Sequence, residues 1–390
     1  MDQSLNGELL AQLDALDARN RRRRLRVLSA DHGRLVGIDG RALIDVSSND
    51  YLGLSQHPLT KSRAADWAER YGAGAPSSRL VTGTRGIAVE LEEKLAAFKG
   101  CEAALLIGSG FQANATVIPA LATLGDTLIF SDSLNHSSIV QGCRLAKART
   151  IIFRHNDLNH LAELLRANAA HCGRRLIVTE SVFSMDGDRS DLAALVTLAE
   201  QHGAALYVDE AHAVGVLGPE GRGLVAALPL TCGKVDVVMG TLGKAFGSYG
   251  AYIAGSRALI DFLINRCAGF IYATALPPAV LGAVDAALDL IPSMDAERAR
   301  LAGNATRLRI ALNAAGLDTL QSSTQIIPAI IGGEAAALAA AAKLNAAGIL
   351  AVAIRPPTVP EGTSRLRFSL NSALSDADID ELLAAIATLS

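Results

Sequence analysis

The sequence predicts an α/β fold: a large domain on a seven-stranded, mostly parallel sheet, a smaller α+β domain after it, and a helical arm in front. Three observations carry this. From residue 102 onward, short apolar runs alternate with helical patterns. Such alternation implies crossover units, with helices on both faces of a parallel sheet. At Pro277-Pro278 the alternation stops and two long helical patterns follow. The composition also fits: of 390 residues half are apolar, 19% are charged and 35 are glycine. That balance suits a two-core α/β enzyme and excludes a fibrous or disordered chain. The expected domains are an arm over 1–46, a large domain over 47–277 and a small domain over 278–390.

Residues 4–26 read as an amphipathic helix with Leu5, Leu9, Leu13 and Leu16 on one stripe, ending in Arg21-Arg-Arg-Arg24-Leu-Arg26. Those arginines suit a helix C-terminus, or a grip on an acidic substrate. Leu35–Ile38 and Ala42–Val46 flank Asp39-Gly40, a hairpin signal. A polar loop with one aromatic, Ser47-Ser-Asn-Asp-Tyr-Leu-Gly-Leu54, follows. Helices are expected over 59–71 and 86–99, separated by a small-residue loop, 72–84, that lets backbone approach a ligand. Expected strands are 103–107, 127–130, 150–153, 175–180, 204–208, 235–239 and 249–254. Helices over 111–123, 137–147, 157–169 and 191–202 lie between them. The small domain reads as helices 278–291 and 296–315, strand 325–331, helix 334–347, strands 350–354 and 365–369, and helix 375–388.

Charge and cysteines limit the function. A net charge of -3 gives no general attraction to nucleic acid. Cys101, Cys143, Cys172, Cys232 and Cys267 are scattered, which reads as reduced thiols, mostly buried as small hydrophobes. No Cys/His spacing suggests a metal site. The start, MDQSLNGELL, lacks an apolar h-region, so no signal peptide is expected. No apolar run reaches spanning length without a charge or turn, so a cytoplasmic location away from the membrane is expected.

The chemistry gathers at strand ends. Val235-Asp-Val-Val-Met-Gly-Thr-Leu-Gly-Lys-Ala-Phe-Gly247 is an apolar strand, a turn and one lysine, Lys244. Ligands of open α/β sheets sit there. Partial burial makes such an amine a usable nucleophile for an aldehyde. Alone, it would most often be a solvated loop lysine. Its companions change that. Leu206-Tyr-Val-Asp-Glu-Ala-His212 puts Asp209 at the end of another strand. A carboxylate there is costly to bury without a cation, such as a protonated pyridine nitrogen. His212 lies three residues on, and Thr241 three before Lys244. His136 follows a strand too, and is either a structural histidine or a flat ring stacked on a flat cofactor. Ser181, in Thr179-Glu-Ser-Val-Phe-Ser-Met-Asp-Gly187, suits a hydrogen bond to a ligand or a turn. Ile107-Gly-Ser-Gly-Phe-Gln-Ala113 opens a helix, whose first amides bind phosphate. GSGFQA also fits the loose dinucleotide fingerprint, with Asp132 as its acid, which keeps a nicotinamide-dependent dehydrogenase open as a rival.

Taken in order, GSGF, LNHSSIV, TESVFSMDGD, VDEAHAVGVLG and GTLGKAFG resemble the fold-type-I pyridoxal-phosphate enzymes. Within these the chain is similar to the α-oxoamine synthases, which condense an amino acid with an acyl thioester and lose CO2. The resemblance runs from Ser47 to Arg367 and implies a pyridoxal 5'-phosphate cofactor. Lys244 would hold it as a Schiff base and move the substrate α-proton. Asp209 would pair with the ring nitrogen and His136 would stack on the ring. His212 and Ser181 would bond its phenolic side. Gly110 and Phe111 amides with Thr241 would hold the phosphate, and Thr274 would reach the phosphate of the neighbouring subunit in a homodimer. Arg367 would grip the amino-acid carboxylate. Ile354-Arg-Pro-Pro-Thr-Val-Pro-Glu-Gly-Thr-Ser-Arg-Leu-Arg367 is most similar to the branch that joins L-alanine to a pimeloyl thioester, carried by coenzyme A or acyl carrier protein. Arg23, with Arg355 and Thr358, would then hold the far carboxylate, with Arg22 and Arg24 as alternatives. Two further rivals remain: a synthase using glycine and another acyl-CoA such as acetyl-CoA, and an inactive scaffold subunit on the same fold.

Overall fold

In a computed structural model of the chain, the described residues are 4–31, 34–37, 40–228 and 233–389. They divide into two compact units. One comprises Asn49–Ser184 and Asp188–Ala299; the other comprises the residues up to Ser48, Met185–Gly187 and Arg300 onward.

The first unit holds the seven-stranded sheet. Its strands are β1 (Ala103–Ile107), β2 (Thr127–Asp132), β3 (Arg149–Phe153), β4 (Arg174–Glu180), β5 (Ala204–Asp209), β6 (Val237–Thr241) and β7 (Ala251–Gly255). Their spatial order is β1-β7-β6-β5-β4-β2-β3. Only β7 runs antiparallel to its neighbours, β1 and β6; the other pairings are parallel. Alternate residues of the strands, among them Leu105, Ile107, Leu176, Val178, Val237 and Met239, share one buried cluster. Val117, Ile118 and Leu121 of helix Gly110–Ala122 and Leu263 of helix Arg257–Arg266 close that cluster. Each such side chain contributes about 1.5–3 kcal/mol relative to exposure. The register sets Glu180 beside Asp209, and Asp209 beside Met239. Parallel neighbours thus end together, which is what gathers polar side chains at one rim.

The helix after Pro277, Pro278–Leu290, lies in this first unit, so the units divide at Ala299 and not at residue 277. Gly282 permits its packing: a Cβ there would sit 2.6 Å from Arg63 O and 2.8 Å from Trp67 Cγ in helix Pro58–Tyr71. Arg63 and Lys94 both pair with Asp285 and Asp289 of the same helix. The double proline marks a helix start, where its missing N–H costs nothing.

The second unit contains two sheets. In one, Ala42–Asp45 pairs antiparallel with Arg34–Val36 and parallel with Ile349–Leu350. The turn residues Ile38 and Asp39 lie outside the described residues. In the other, Ser364–Ser369 runs antiparallel between Ile326–Gly332 and Val352–Ile354. The first helix is shorter than its pattern: it covers Leu5–Ala18 and none of its residues is buried. Asn20 takes a left-handed φ of 55°, which ends the helix before the arginine run, so those arginines do not cap it. Cys143 and Cys267 are buried, Cys101 is half-buried and Cys172 is exposed; Cys232 lies outside the described residues.

Candidate active site

The rim of β4, β5 and β6 holds a connected set of polar side chains. Asp209, the last residue of β5, is 3% exposed. Its Oδ1 accepts from the Ala211 amide at 2.8 Å and its Oδ2 from Asn114 Nδ2 at 2.8 Å. Asn114 also donates to Ser138 Oγ at 2.9 Å and accepts from the Tyr207 hydroxyl at 2.7 Å. Its amide cannot flip without losing these bonds. Asp209 is therefore held with its carboxylate fixed in a nearly dry place, a poor site for lone charge and a good one for a cationic partner.

Lys244 follows β6. Its Nζ lies 2.8 Å from His212 Nε2, and His212 Nδ1 lies 2.5 Å from the Tyr51 hydroxyl. Ser181 is fully buried; its amide and hydroxyl both donate to Asp209 O, at 2.8 and 3.3 Å. His136 caps helix Ser137–Leu145, with Nδ1 2.7 Å from Ser138 Oγ. Desolvation pushes its imidazole below the ordinary value; Asp209 opposes that shift and Lys244 reinforces it. These electrostatic couplings join His136 to Lys244 and Asp209. The carboxyl of Glu180, 2% exposed, accepts from the His136 amide at 2.6 Å. Burial, then the neighbouring Asp209 charge, pushes it above the ordinary carboxylate value.

Gly110 and Phe111 open helix Gly110–Ala122, and their amides have no partner within the helix. A Cβ on Gly110 would lie 3.7 Å from Thr241 Cβ, so Thr241 stands beside this helix N-terminus. Thr241 Oγ1 donates to Gly250 O at 3.2 Å. The Phe111 side chain is 51% exposed. Thr274 is exposed and bridges to Ser78, on a shallow cleft that also touches Arg79, Gly108 and Phe270. Pyridoxal phosphate fits this set. An amine for its aldehyde, a buried anion for its ring nitrogen, and a glycine-opened helix with a threonine for its phosphate are all present.

The arginines belong to the other unit. Arg21 is bound by Glu334 at 2.6 Å and Glu361 at 3.0 Å, and Arg22 and Arg24 by Asp17. Arg23 instead donates to a hydroxyl, Thr358 Oγ1, at 3.0 Å. Arg355 donates to Asn20 O; burial and the adjacent Arg23 lower its pKa. Arg367 is 7% exposed on strand Ser364–Ser369. Two places along that strand, Arg365 pairs with Asp186. The structure thus groups Arg23, Arg355 and Thr358, and it groups Lys244, His212, His136, Asp209 and Ser181.

Sequence reasoning missed Asn114, Glu180 and Tyr51. Glu180 has a visible signal, since it ends its strand as Asp209 ends the next. Asn114 reads as an ordinary polar residue inside a helix, and Tyr51 as the aromatic of a polar loop.

The dinucleotide reading of GSGFQA fails on topology. Asp132 ends β2, which is not a neighbour of β1 in the sheet. Its carboxylate is taken by His155, by the Leu134 amide and by the Asn156 amide, at 2.9, 2.8 and 2.8 Å. Among the described residues, no helix is long and apolar enough to cross a membrane.

Comparison with known proteins gives the family. A profile of the aminotransferase class I and II family matches residues 41–386. The 8-amino-7-oxononanoate synthase of Gluconacetobacter diazotrophicus is 55% identical over 96% of this chain and 94% of its own length. That of Geotalea daltonii is 48% identical over 96% of both. A solved serine palmitoyltransferase from S. paucimobilis with a bound PLP–myriocin aldimine superposes with a TM-score of 0.92, at 28% identity, over 99% of this chain and 98% of that one. The 8-amino-7-oxononanoate synthase of Francisella tularensis gives 0.74 at 28% identity, covering 89% and 97%. The chain belongs to the aminotransferase class I and II family, and within it to the pyridoxal-phosphate acyltransferases grouped with the 8-amino-7-oxononanoate synthases.

Proposed function

We propose that this chain joins L-alanine to a pimeloyl thioester, on coenzyme A or acyl carrier protein, and releases CO2 to give 8-amino-7-oxononanoate for biotin synthesis in the cytoplasm. The single observation that carries it is the contact of Lys244 with His212 at 2.8 Å, beside an Asp209 already fixed by Asn114 and Ala211. When bound, pyridoxal phosphate would supply an aldehyde for amines and a protonated ring that draws electrons from the substrate α-carbon.

The chain's residues do the rest. Lys244 Nζ takes the α-proton of alanine and later returns a proton to the carbon that CO2 has left. His212 holds that nitrogen in place between the two transfers. Asp209 keeps the ring nitrogen protonated. The ring of His136 covers one face, and Ser181 bonds the phenolic side with His212. Phosphate is held by the Gly110 and Phe111 amides with Thr241, and by Thr274 of a second copy. Arg367 would grip the alanine carboxylate and so fix the orientation of the bond to be broken. Arg23 is the member of its run whose partner is a hydroxyl and not a carboxylate. It meets the far carboxylate of the pimeloyl chain, with Arg355 and Thr358 beside it. The thioester carbon forms the new C–C bond and the thiolate leaves.

The test crosses alanine and glycine with pimeloyl, acetyl and succinyl thioesters and reads products by mass spectrometry. Product from alanine and pimeloyl thioester at the highest kcat/KM supports the proposal. Preference for glycine with acetyl-CoA would replace it by the rival synthase reading.

A further inference from the structure

Three side chains stand in line behind Lys244. Lys244 Nζ lies 2.8 Å from His212 Nε2. His212 Nδ1 lies 2.5 Å from the Tyr51 hydroxyl, which in turn lies 3.2 Å from Asn49 Oδ1. Tyr51 is fully buried and His212 is 4% exposed, so bulk water does not substitute for these partners. A neutral imidazole has one N–H and one bare nitrogen. The phenol has a single proton, which it can turn toward His212 Nδ1 or toward Asn49 Oδ1.

The two directions suit two states of the site. Lys244 as an ammonium has donors only, so Nε2 must be bare. Nδ1–H then donates to the Tyr51 oxygen, and Tyr51 donates to Asn49. When an acceptor faces Nε2, as a phenolic oxygen would, Nε2 must carry the proton. Nδ1 is then bare, and Tyr51 turns its proton to it. The imidazole stays neutral in both states, and one O–H rotation accompanies the change of tautomer.

We propose that Tyr51 is a positioning residue for the reaction: its rotating hydroxyl decides which ring nitrogen of His212 carries the proton. This rests on the roles given to Lys244 and His212 under the proposed function. The experiment uses protein labelled with ¹⁵N-histidine, and reads the ring nitrogens of His212 with and without pyridoxal phosphate. The His212 signal is assigned by its loss in His212→Asn. Wild type is expected to move from Nδ1–H without cofactor to Nε2–H with it. Tyr51→Phe keeps the buried ring and removes the hydroxyl. It is expected to shrink that change of tautomer ratio by about fivefold or more, the ratio set by one net hydrogen bond. Turnover should fall with it, while the KM for alanine stays unchanged. Asn49→Ala removes an acceptor of the Tyr51 proton, and should shift the cofactor-free ratio toward Nε2–H against the opposing Lys244 ammonium; it carries the test if Tyr51→Phe does not fold. A single tautomer in both wild-type states, or an unchanged ratio in the variants, overturns the proposal. The tautomer readout needs no substrate. A failed product assay with an intact tautomer change would therefore sink the proposed function alone.

Discussion

Asp209→Asn tests the site where its geometry is tightest. Oδ1 faces the Ala211 amide and Oδ2 faces Asn114 Nδ2, so both oxygens accept from donors. Asn114 cannot turn to help, because its own oxygen accepts from Tyr207. An asparagine at 209 therefore sets an NH2 against a donor in either orientation. The cofactor-free protein should lose about 1–3 kcal/mol, the cost of one buried donor left without an acceptor. The second loss is the anion itself. A cationic ring nitrogen left without its buried partner costs about 3–5 kcal/mol. The lower end applies, since the ring can shed its proton, and about 3 kcal/mol weakens cofactor affinity by roughly 100-fold. Pyridoxal phosphate titration followed by visible absorbance measures the affinity, and thermal unfolding of the cofactor-free protein measures the first loss. Affinity within threefold of wild type, with product formation within tenfold, would refute the role given to Asp209.

Four other outcomes follow from single observations. Lys99 and Glu210 form a buried pair, 2% and 0% exposed and 2.6 Å apart, one residue from Asp209. Lys99→Met should cost about 3–5 kcal/mol, and adding Glu210→Gln should recover part of it, read through the fluorescence of the single tryptophan, Trp67. For His155, burial opposes the charge, but Asp132 and Asp188 outweigh it and push the imidazole up to about 10. A raised folded-state value stabilises fully below the unfolded value of about 6.5. The benefit is lost as pH rises through about 10, so the stability gap between wild type and His155→Gln should close there. Gly187 has a φ of +68°, and a Cβ would fall 1.9 Å from Ile326 O; Gly187→Ala should cost at least about 2 kcal/mol, seen as faster amide exchange in strand Ile326–Gly332. Arg23→Ala should raise the KM for the pimeloyl thioester about tenfold to 100-fold, as loss of one charge-assisted pair implies, and leave the KM for alanine unchanged.

The sheet was legible because its strands are continuous apolar runs separated by helices with their own period. The strand tips were legible as well: Asp209 ends one of those runs, and Lys244 follows the glycine turn after another. What lay hidden depends on distance in space. Asn114 reaches Asp209 across 95 positions of sequence, and Tyr51 reaches His212 across 161. No local pattern marks either. The first helix was read too long because arginine is a good helix former, and the left-handed Asn20 that stops it has no strong local signature. Helix Arg257–Arg266 was missed because charged residues at both ends blur its apolar face. The change of texture at Pro277 marks a helix start within the first unit, where Gly282 and the Asp285–Asp289 pair dock it.

The most direct measurement reduces the cofactor-loaded protein with borohydride, digests it, and finds the pyridoxyl mass by peptide mass spectrometry. The label is expected on the peptide containing Lys244, with none on a Lys244→Ala protein. A label on a different lysine, or no stable label at all, would contradict the assignment of Lys244 and Asp209 to one cofactor.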